Sequence, residues 1–347
     1  MKLCLEWDAG GQGWLRLLFW RLVVERIALR RLCLVVVLWV TSGQMGGAQT
    51  QATAAKKLEF DVASVKQNKS DEKPRSTFSL DNGNIYSTVG KDDAFAPKGS
   101  YFSARNEPLW HYISFAYNLS GTQELALRFS YFPGLSAKLP EWVTGGTDSS
   151  GERFDIEART AGKPTKDEMR QMMQSLLEDR FKLVAHHETR QAPVFALVLA
   201  KPGVTGPRLQ AHPAGDACMS EEPGTNASAA KAADQLPVVC GVIAHLVPSG
   251  PGLIHEGGRN VPLSLLASSL PTMTGMAVLP RPVVDETGLS GTFDFSLEWL
   301  PEYNASPDAS GLTFREALKE QIGLTLEPKK GPVDILVIDH VEQPSAN

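Results

Sequence analysis

The chain predicts an α+β protein of two tandem, sequence-related units, each roughly ββαβαββ, with a mainly antiparallel sheet and helices on one face. Three observations carry that reading. The pentapeptide RNEPL at 105–109 returns as RNVPL at 259–263. A Thr-x-x-Glu box opens an apolar helical stripe in each half, at Thr165 and at Thr313. Phe154 and Pro193 are followed 139 residues later by Phe293 and Pro332. The boxes stand 148 residues apart and the pentapeptides 154, so insertions and deletions separate the matched elements, as loops allow. The expected organisation is a signal peptide over 1–48, a short linker over 49–57, a first unit over 58–200, a Gly/Pro/Ala/Ser-rich linker over 201–237 and a second unit over 238–347. Limited proteolysis within 201–237 is expected to leave two resistant pieces, whereas a single uncut core would mean that the halves share one sheet.

Taken in order, LEFDVASV reads as a strand with no obvious twin in the second half. FSLDNGNIYSTVG with its Asn-Gly turn, and GVIAHLVPSGPGLIHEGG with its Pro/Gly turn, read as extended stretches before each pentapeptide. Asn106 and Asn260 are expected N-caps, with Pro108 and Pro262 in the first helical turn, where a missing N–H costs nothing. Leu109, Ile113 and Ala116, and later Leu263, Leu266 and Leu270, keep the helical spacing. FDIEA and FDFSLEW alternate apolar and polar residues as half-buried strands do, which should point Asp155 and Asp294 at solvent. Each Thr-x-x-Glu box fits the reciprocal cap in which the hydroxyl takes the N3 amide and the carboxylate returns to the cap amide. Met169, Met172, Met173, Leu176 and Leu177 form the first helical stripe; Phe314, Ala317, Leu318 and Ile322 form the second, closed by Gly323. Packing is the ordinary reason for such stripes, a soft methionine groove the alternative. Each half then closes with two strands, FKLVAHHETR with PVFALVLA, and LTLEP with PVDILVID.

Near the start, Arg26, Arg30 and Arg31 precede the apolar run LCLVVVLWV, and Gly46 and Ala48 supply small residues before a cut after Ala48. This is the layout of a secretory signal. A retained anchor is the alternative, but this run falls short of the roughly 20 residues that span a bilayer, so no stable membrane span is expected after cleavage. Cys33 follows Arg30, Arg31 and Leu32, which is no lipobox. Cleavage would remove six basic and three acidic residues, taking the formal charge from −5 to −8. An acidic chain without a basic run excludes nucleic acid as a partner. Cys218 and Cys240 would survive cleavage, and in an oxidising compartment they are expected to form a disulfide worth about 3 kcal/mol in the chain-entropy model. The alternative, a metal or redox pair, lacks CxxC spacing.

FDVASVKQN, MMQSLLEDRFKLVAHHETRQAPVFALVLAKPG, RPVVDETGLSGTFDFSLEW and EPKKGPVDILVIDHVEQPS together resemble the secreted domain-of-unknown-function family expanded in soil acidobacteria. That family also occurs as an extracytoplasmic module on membrane metallopeptidases similar to β-lactam-sensor antirepressors. The resemblance implies export but no activity, ligand or catalytic residue. The chain has no HExxH motif of its own. A fainter likeness of the βαββ pattern to short extracytoplasmic domains of secretins and TonB-dependent receptors concerns fold only.

The strongest local motif is RPVVDETGLSGTFDF. Asp285 can cap the following turn, with Gly288 and Gly291 free to take positive φ, or it can face a ligand together with Arg281. His186 and Glu188 fall on one face of a strand and are the weak metal candidates; His187 falls on the other. A catalytic zinc needs a third protein ligand, for which His255 or His340 could only be guessed. GxSxG, Walker and Rossmann motifs are absent, and no cofactor is expected. The sequence therefore points to a secreted or periplasmic non-enzymatic module that binds a protein or envelope component. The alternatives are an extracytoplasmic hydrolase using Asp285, His186 and Glu188 in a cleft between the units, and a purely structural envelope protein.

Overall fold

Period-two alternation and capped helical stripes produce an α+β arrangement with mainly antiparallel sheets. The computed structural model describes residues 57–344, apart from 77–84, 87–99, 130–131, 133, 136–138, 145–150, 163, 217–234, 238–239, 276–277 and 302–309. The expected signal peptide, the Asn82-Gly83 turn and Cys218 lie outside the described residues.

One sheet has the order β1 (Val62–Asn68), β5 (Arg153–Arg159), β4 (Tyr101–Pro108), β2 (Arg75–Ser76). A second runs β3 (Ile85–Tyr86), β8 (Val242–His245), β9 (Ile254–Pro262), β11 (Thr292–Trp299), β7 (Leu209–Ala211). The third is β10 (Val283–Asp285), β6 (Val184–Leu199), β12 (Leu324–His340). Neighbours are antiparallel except the β10–β6 and β3–β8 pairs. The helices are α1 (Leu109–Ala116), α2 (Gly121–Arg128), α3 (Glu141–Thr144), α4 (Lys166–Phe181), α5 (Leu263–Thr274) and α6 (Phe314–Gln321).

Both Thr-x-x-Glu boxes form. Thr165 Oγ1 accepts the Glu168 amide at 3.2 Å while Glu168 Oε2 accepts the Thr165 amide at 2.8 Å. The Thr313–Glu316 pair repeats this at 3.4 and 2.9 Å. The methionine stripe of α4 is core: Met169, Met173 and Leu177 are buried against Phe102, Ile113 and Phe154. In the other half Leu266, Leu270, Phe295, Trp299 and Phe314 form a second core. Burying each such side chain contributes about 1.5–3 kcal/mol. A third cluster, including Leu125, Phe132, Val194, Val333 and Ile335, lies over the middle of the β6–β12 pair.

Four expectations are corrected. The closing strands are not two in each half. VAHHETRQAPVFALVL is one strand of 16 residues, and it pairs along its whole length with one strand of 17 residues from the other half. A hairpin inside either half would need a turn near Gln191-Ala192 or Lys330-Gly331, yet no residue in either strand has positive φ. Each strand instead serves both cores: Leu336 and Ala185 join the first, Leu197 and Leu324 the second. Second, the RN-x-PL asparagines are not helix caps, because α1 and α5 begin at Leu109 and Leu263 with Pro108 and Pro262 as cap residues. Third, the strand without a twin has a partner in kind, since β1 flanks β5 as β7 flanks β11, and β7 lies inside the stretch read as linker. Fourth, the described part of FSLDNGNIYSTVG, Ile85–Tyr86, pairs in parallel with β8 of the other half.

Candidate functional site

Each pentapeptide forms a β-bulge. The β4–β5 register passes from Ala104↔Ile156 to Glu107↔Phe154, so Arg105 and Asn106 stand opposite the single residue Asp155. The β9–β11 register passes from Gly258↔Phe295 to Val261↔Phe293, so Arg259 and Asn260 oppose Asp294. Asn106 and Asn260 take the left-handed conformation, φ 57° and 55°, which asparagine tolerates better than most residues. Their amides then have no strand partner, and the aspartates supply one: Asp155 Oδ1 accepts the Asn106 N–H and Asp294 Oδ1 accepts the Asn260 N–H, both at 2.8 Å. The two aspartates are therefore bulge acceptors, which corrects the expectation of solvated face residues. The recurrence of Phe-Asp with RN-x-PL was the available sign; what it lacked was the register that sets them opposite each other.

The Asp294 oxygen also bonds His212 Nδ1 at 2.7 Å, and Asp216 pairs with Arg259 beside it. His212, Asp216 and Asp294 bring ligand atoms within 4.8 Å of one another. Their charge is matched internally: the Arg259 guanidinium and the Asn260 amide already occupy the carboxylates, so the group is built as a bulge brace.

Sequence-derived candidates disperse. Asp285 Oδ1 accepts the Thr287 amide at 3.0 Å and the Thr287 hydroxyl at 2.8 Å, and the Leu289 amide then donates to Thr287 Oγ1, so Asp285 organises its turn. Arg281 lies with its guanidinium 5.3 Å from the Phe195 ring centroid. His186 Nδ1 bonds Asp339 at 2.8 Å, whereas Glu188 takes Arg190 through two hydrogen bonds of 2.8 and 3.1 Å. That Arg190 contact holds the Glu188 carboxyl below its ordinary value. His187 faces the Tyr117 ring, His340 bonds Glu342, and His255 is buried with Nδ1 donating to the Val247 carbonyl at 2.8 Å. Asp285 is level with Leu197, nine residues along β6 from Glu188, which at about 3.3 Å per residue is roughly 30 Å. The structure does not bring Asp285 to His186 and Glu188. Cys240 bridges to Arg259, and its expected partner is outside the described residues.

What remains open is the middle of the long ribbon. One face there, with Ala192, Val194, Val333 and Ile335, is buried beneath α2 residues and Phe132. On the other face Thr189, Gln191, Pro193, Pro328, Lys330 and Pro332 are exposed. The Phe195 amide donates to Pro282 at 2.8 Å, so odd-numbered β6 residues direct their backbone groups away from β12. Pro193 is one of these, and Pro328 and Pro332 oppose Phe195 and Gln191, so all three prolines stand where the ladder requires no N–H. On the outer edge of β12, the end strand of this sheet, Pro328 and Pro332 remove donors and discourage an added strand. The exposed side chains, rather than the edge, are what the ribbon offers. Reading two strands in each half hid this face; the proline spacing was its trace in the sequence.

Among the described residues no helix is long and apolar enough to cross a membrane. No curated protein and no solved structure matches the chain. A family model described as "Protein of unknown function (DUF3738)" matches residues 111–341, from within α1 through β12. With that match covering well over half of its length, the chain belongs to the DUF3738 family, whose function is unknown.

Proposed function

We propose that this chain is a non-enzymatic binding module of the cell envelope, secreted or periplasmic after cleavage of residues 1–48, that holds a protein or envelope component on the bare face of the β6–β12 ribbon. The observation that carries this reading is that face: exposed polar and proline side chains at the centre of a ribbon buttressed from behind by an apolar cluster. Rigid support under an exposed face favours recognition, because little conformational freedom is lost on binding. Two further expectations belong to the proposal. Cys218 and Cys240 form a disulfide in the exported protein, and the chain belongs to the acidobacterial, secreted branch that its motifs resemble.

Affinity capture from the envelope extract of the host, using the full chain as bait and mass spectrometry as readout, tests the function. A stoichiometric partner that is lost with Lys330→Glu or Gln191→Arg, while unfolding is unchanged, is the expected result. A partner indifferent to both substitutions would remove the ribbon face from consideration.

The proposal also takes the fold as two tandem, sequence-related units, supported by matched bulges, matched capping boxes and matched strand neighbours. In this reading the units exchange their closing strands through the ribbon. A protease site inserted between 217 and 234 should yield two fragments that, with the Cys218–Cys240 bridge reduced, co-elute in native buffer until denaturant is added. Fragments that separate in native buffer would contradict strand exchange.

A further inference from the structure

Arg281 and Arg315 converge on one aromatic ring. Each guanidinium carbon lies 5.3 Å from the centroid of Phe195, Arg281 approaching from beside β10 and Arg315 from the first turn of α6. Arg105, Arg128, Arg170, Arg190 and Arg259 all pair with carboxylates, but among the described residues neither Arg281 nor Arg315 does. Two more cations stand near: Lys319, four residues after Arg315 on α6, and Lys330, on the exposed face opposite Pro193. Like charges at this spacing repel by a few tenths of a kcal/mol on a helix. In a chain of formal charge −5, two neighbouring arginines with no ion pair among the described residues are a place for an added anion.

The nearby carboxylates direct their oxygens to other donors. Asp285 holds the Thr287 amide and hydroxyl, Glu286 pairs with Lys329, and Glu316 returns to its own cap. Glu327 lies opposite Ala196, on the other face of the ribbon from Phe195. The ring attracts the guanidinium groups and limits their rotamers but takes none of their N–H donors, leaving planar forks suited to two-point contact with an oxyanion.

We infer that Arg281 and Arg315, set on Phe195, form an oxyanion-binding site at one end of the exposed ribbon face, taking a carboxylate or phosphate group of the bound component. This rests on the proposed binding role of that face and names the chemistry recognised there. It modifies the alternative read from sequence, in which Asp285 and Arg281 face a ligand together: Arg315 is the second cation, and Asp285 serves the turn.

The test is an arginine Nε–Hε NMR titration of the full chain with sodium phosphate and, separately, sodium acetate, each against sodium chloride at equal ionic strength. Saturable shifts confined to Arg281 and Arg315, weakened at least tenfold in Arg281→Gln and in Arg315→Gln, are expected. A response to acetate assigns a carboxylate ligand, and a response to phosphate alone assigns a phosphate. Arg281→Lys, which keeps the charge, serves as the folding control and should retain weak binding with an unchanged melting temperature. Shifts that follow ionic strength alone, or that survive both glutamine substitutions, would overturn the site. Capture of a partner sensitive to Lys330→Glu would then still stand, separating failure of the oxyanion site from failure of the binding role.

Discussion

Around their bulges the two halves use one backbone design with different side chains behind it. In the first, Asp155 is held by Asn68 of β1 at 2.7 Å as well as by the Asn106 amide; in the second, Asp294 is held by His212, just after β7, at the same distance. Asn68 pairs with Arg153, and the His212 amide donates to the Thr292 carbonyl, so these partners occupy matching places beside β5 and β11. The packing also differs in compensating ways. Ala104 faces Ile156 where Gly258 faces Phe295, a small residue shrinking as its neighbour grows. The comparison teaches that the bulge needs an acceptor at the aspartate and a donor beside it, whereas the identity of the donor and the division of volume are free to change.

The largest break in that comparison should come from Gly258→Ala. A methyl there would lie 2.5 Å from the Val242 carbonyl oxygen and 2.6 Å from Val261 Cγ2, so the backbone must shift. The expected loss in urea unfolding is about 3 kcal/mol, against about 1 kcal/mol for Ala104→Gly in the other half. Equal losses would mean that the two sites do not share volume in this compensating way.

Next in size are Asp155→Ala and Asp294→Ala. Each removes the acceptor of a bulge amide and of a side-chain donor, for an expected loss of about 2–3 kcal/mol. The corresponding Asn variants should recover roughly half, since an amide oxygen still accepts. A large effect at one aspartate and none at the other would end the equivalence of the bulges. Smaller still, His212→Asn places the first half's donor in the second half and should change stability by less than about 1 kcal/mol. A loss as large as that of Asp294→Ala would show that the imidazole does more than donate.

The smallest effect is a pH dependence at Glu298, whose matched position in the first half holds no carboxylate. Burial pushes the Glu298 carboxyl up, but the Ser249 hydroxyl and amide, both at 2.6 Å, and the His255 and Arg208 charges pull it further down, leaving it below its ordinary 4.5. The group one offset earlier is Arg159, which cannot titrate in this way. A depressed carboxyl adds stability that is present above the unfolded value and lost as pH falls through the folded one. Glu298→Gln should therefore flatten the acid limb of stability below about pH 4.5, read from Trp299 fluorescence during urea titrations. An unchanged acid limb would show that Ser249 does not hold the carboxylate ionised.

Much of this was legible along the chain because it depends on neighbours in sequence. The capping boxes at Thr165 and Thr313 link residues three apart, the stripes of α1, α4 and α6 follow helical period, and the alternation of FDFSLEW follows strand pleat. The amphipathic runs also placed Met169 and Met173 in a core. Local pattern could not say that Asn106 bends a strand instead of capping a helix, because that depends on Asp155, 49 residues away, supplying the acceptor. The Asp285 turn was legible too, because its acceptor and the Thr287 donors lie two residues apart.

By itself the sequence determined the α+β class, the paired motifs and the helices α1, α4, α5 and α6, since hydrophobic period and capping chemistry act over one or two turns. Only the tertiary structure decided which strands pair, that β6 and β12 run unbroken between two cores, and that Arg281 meets Arg315 over Phe195. Those outcomes depend on burying apolar surface from distant segments at once, a term that no local window contains.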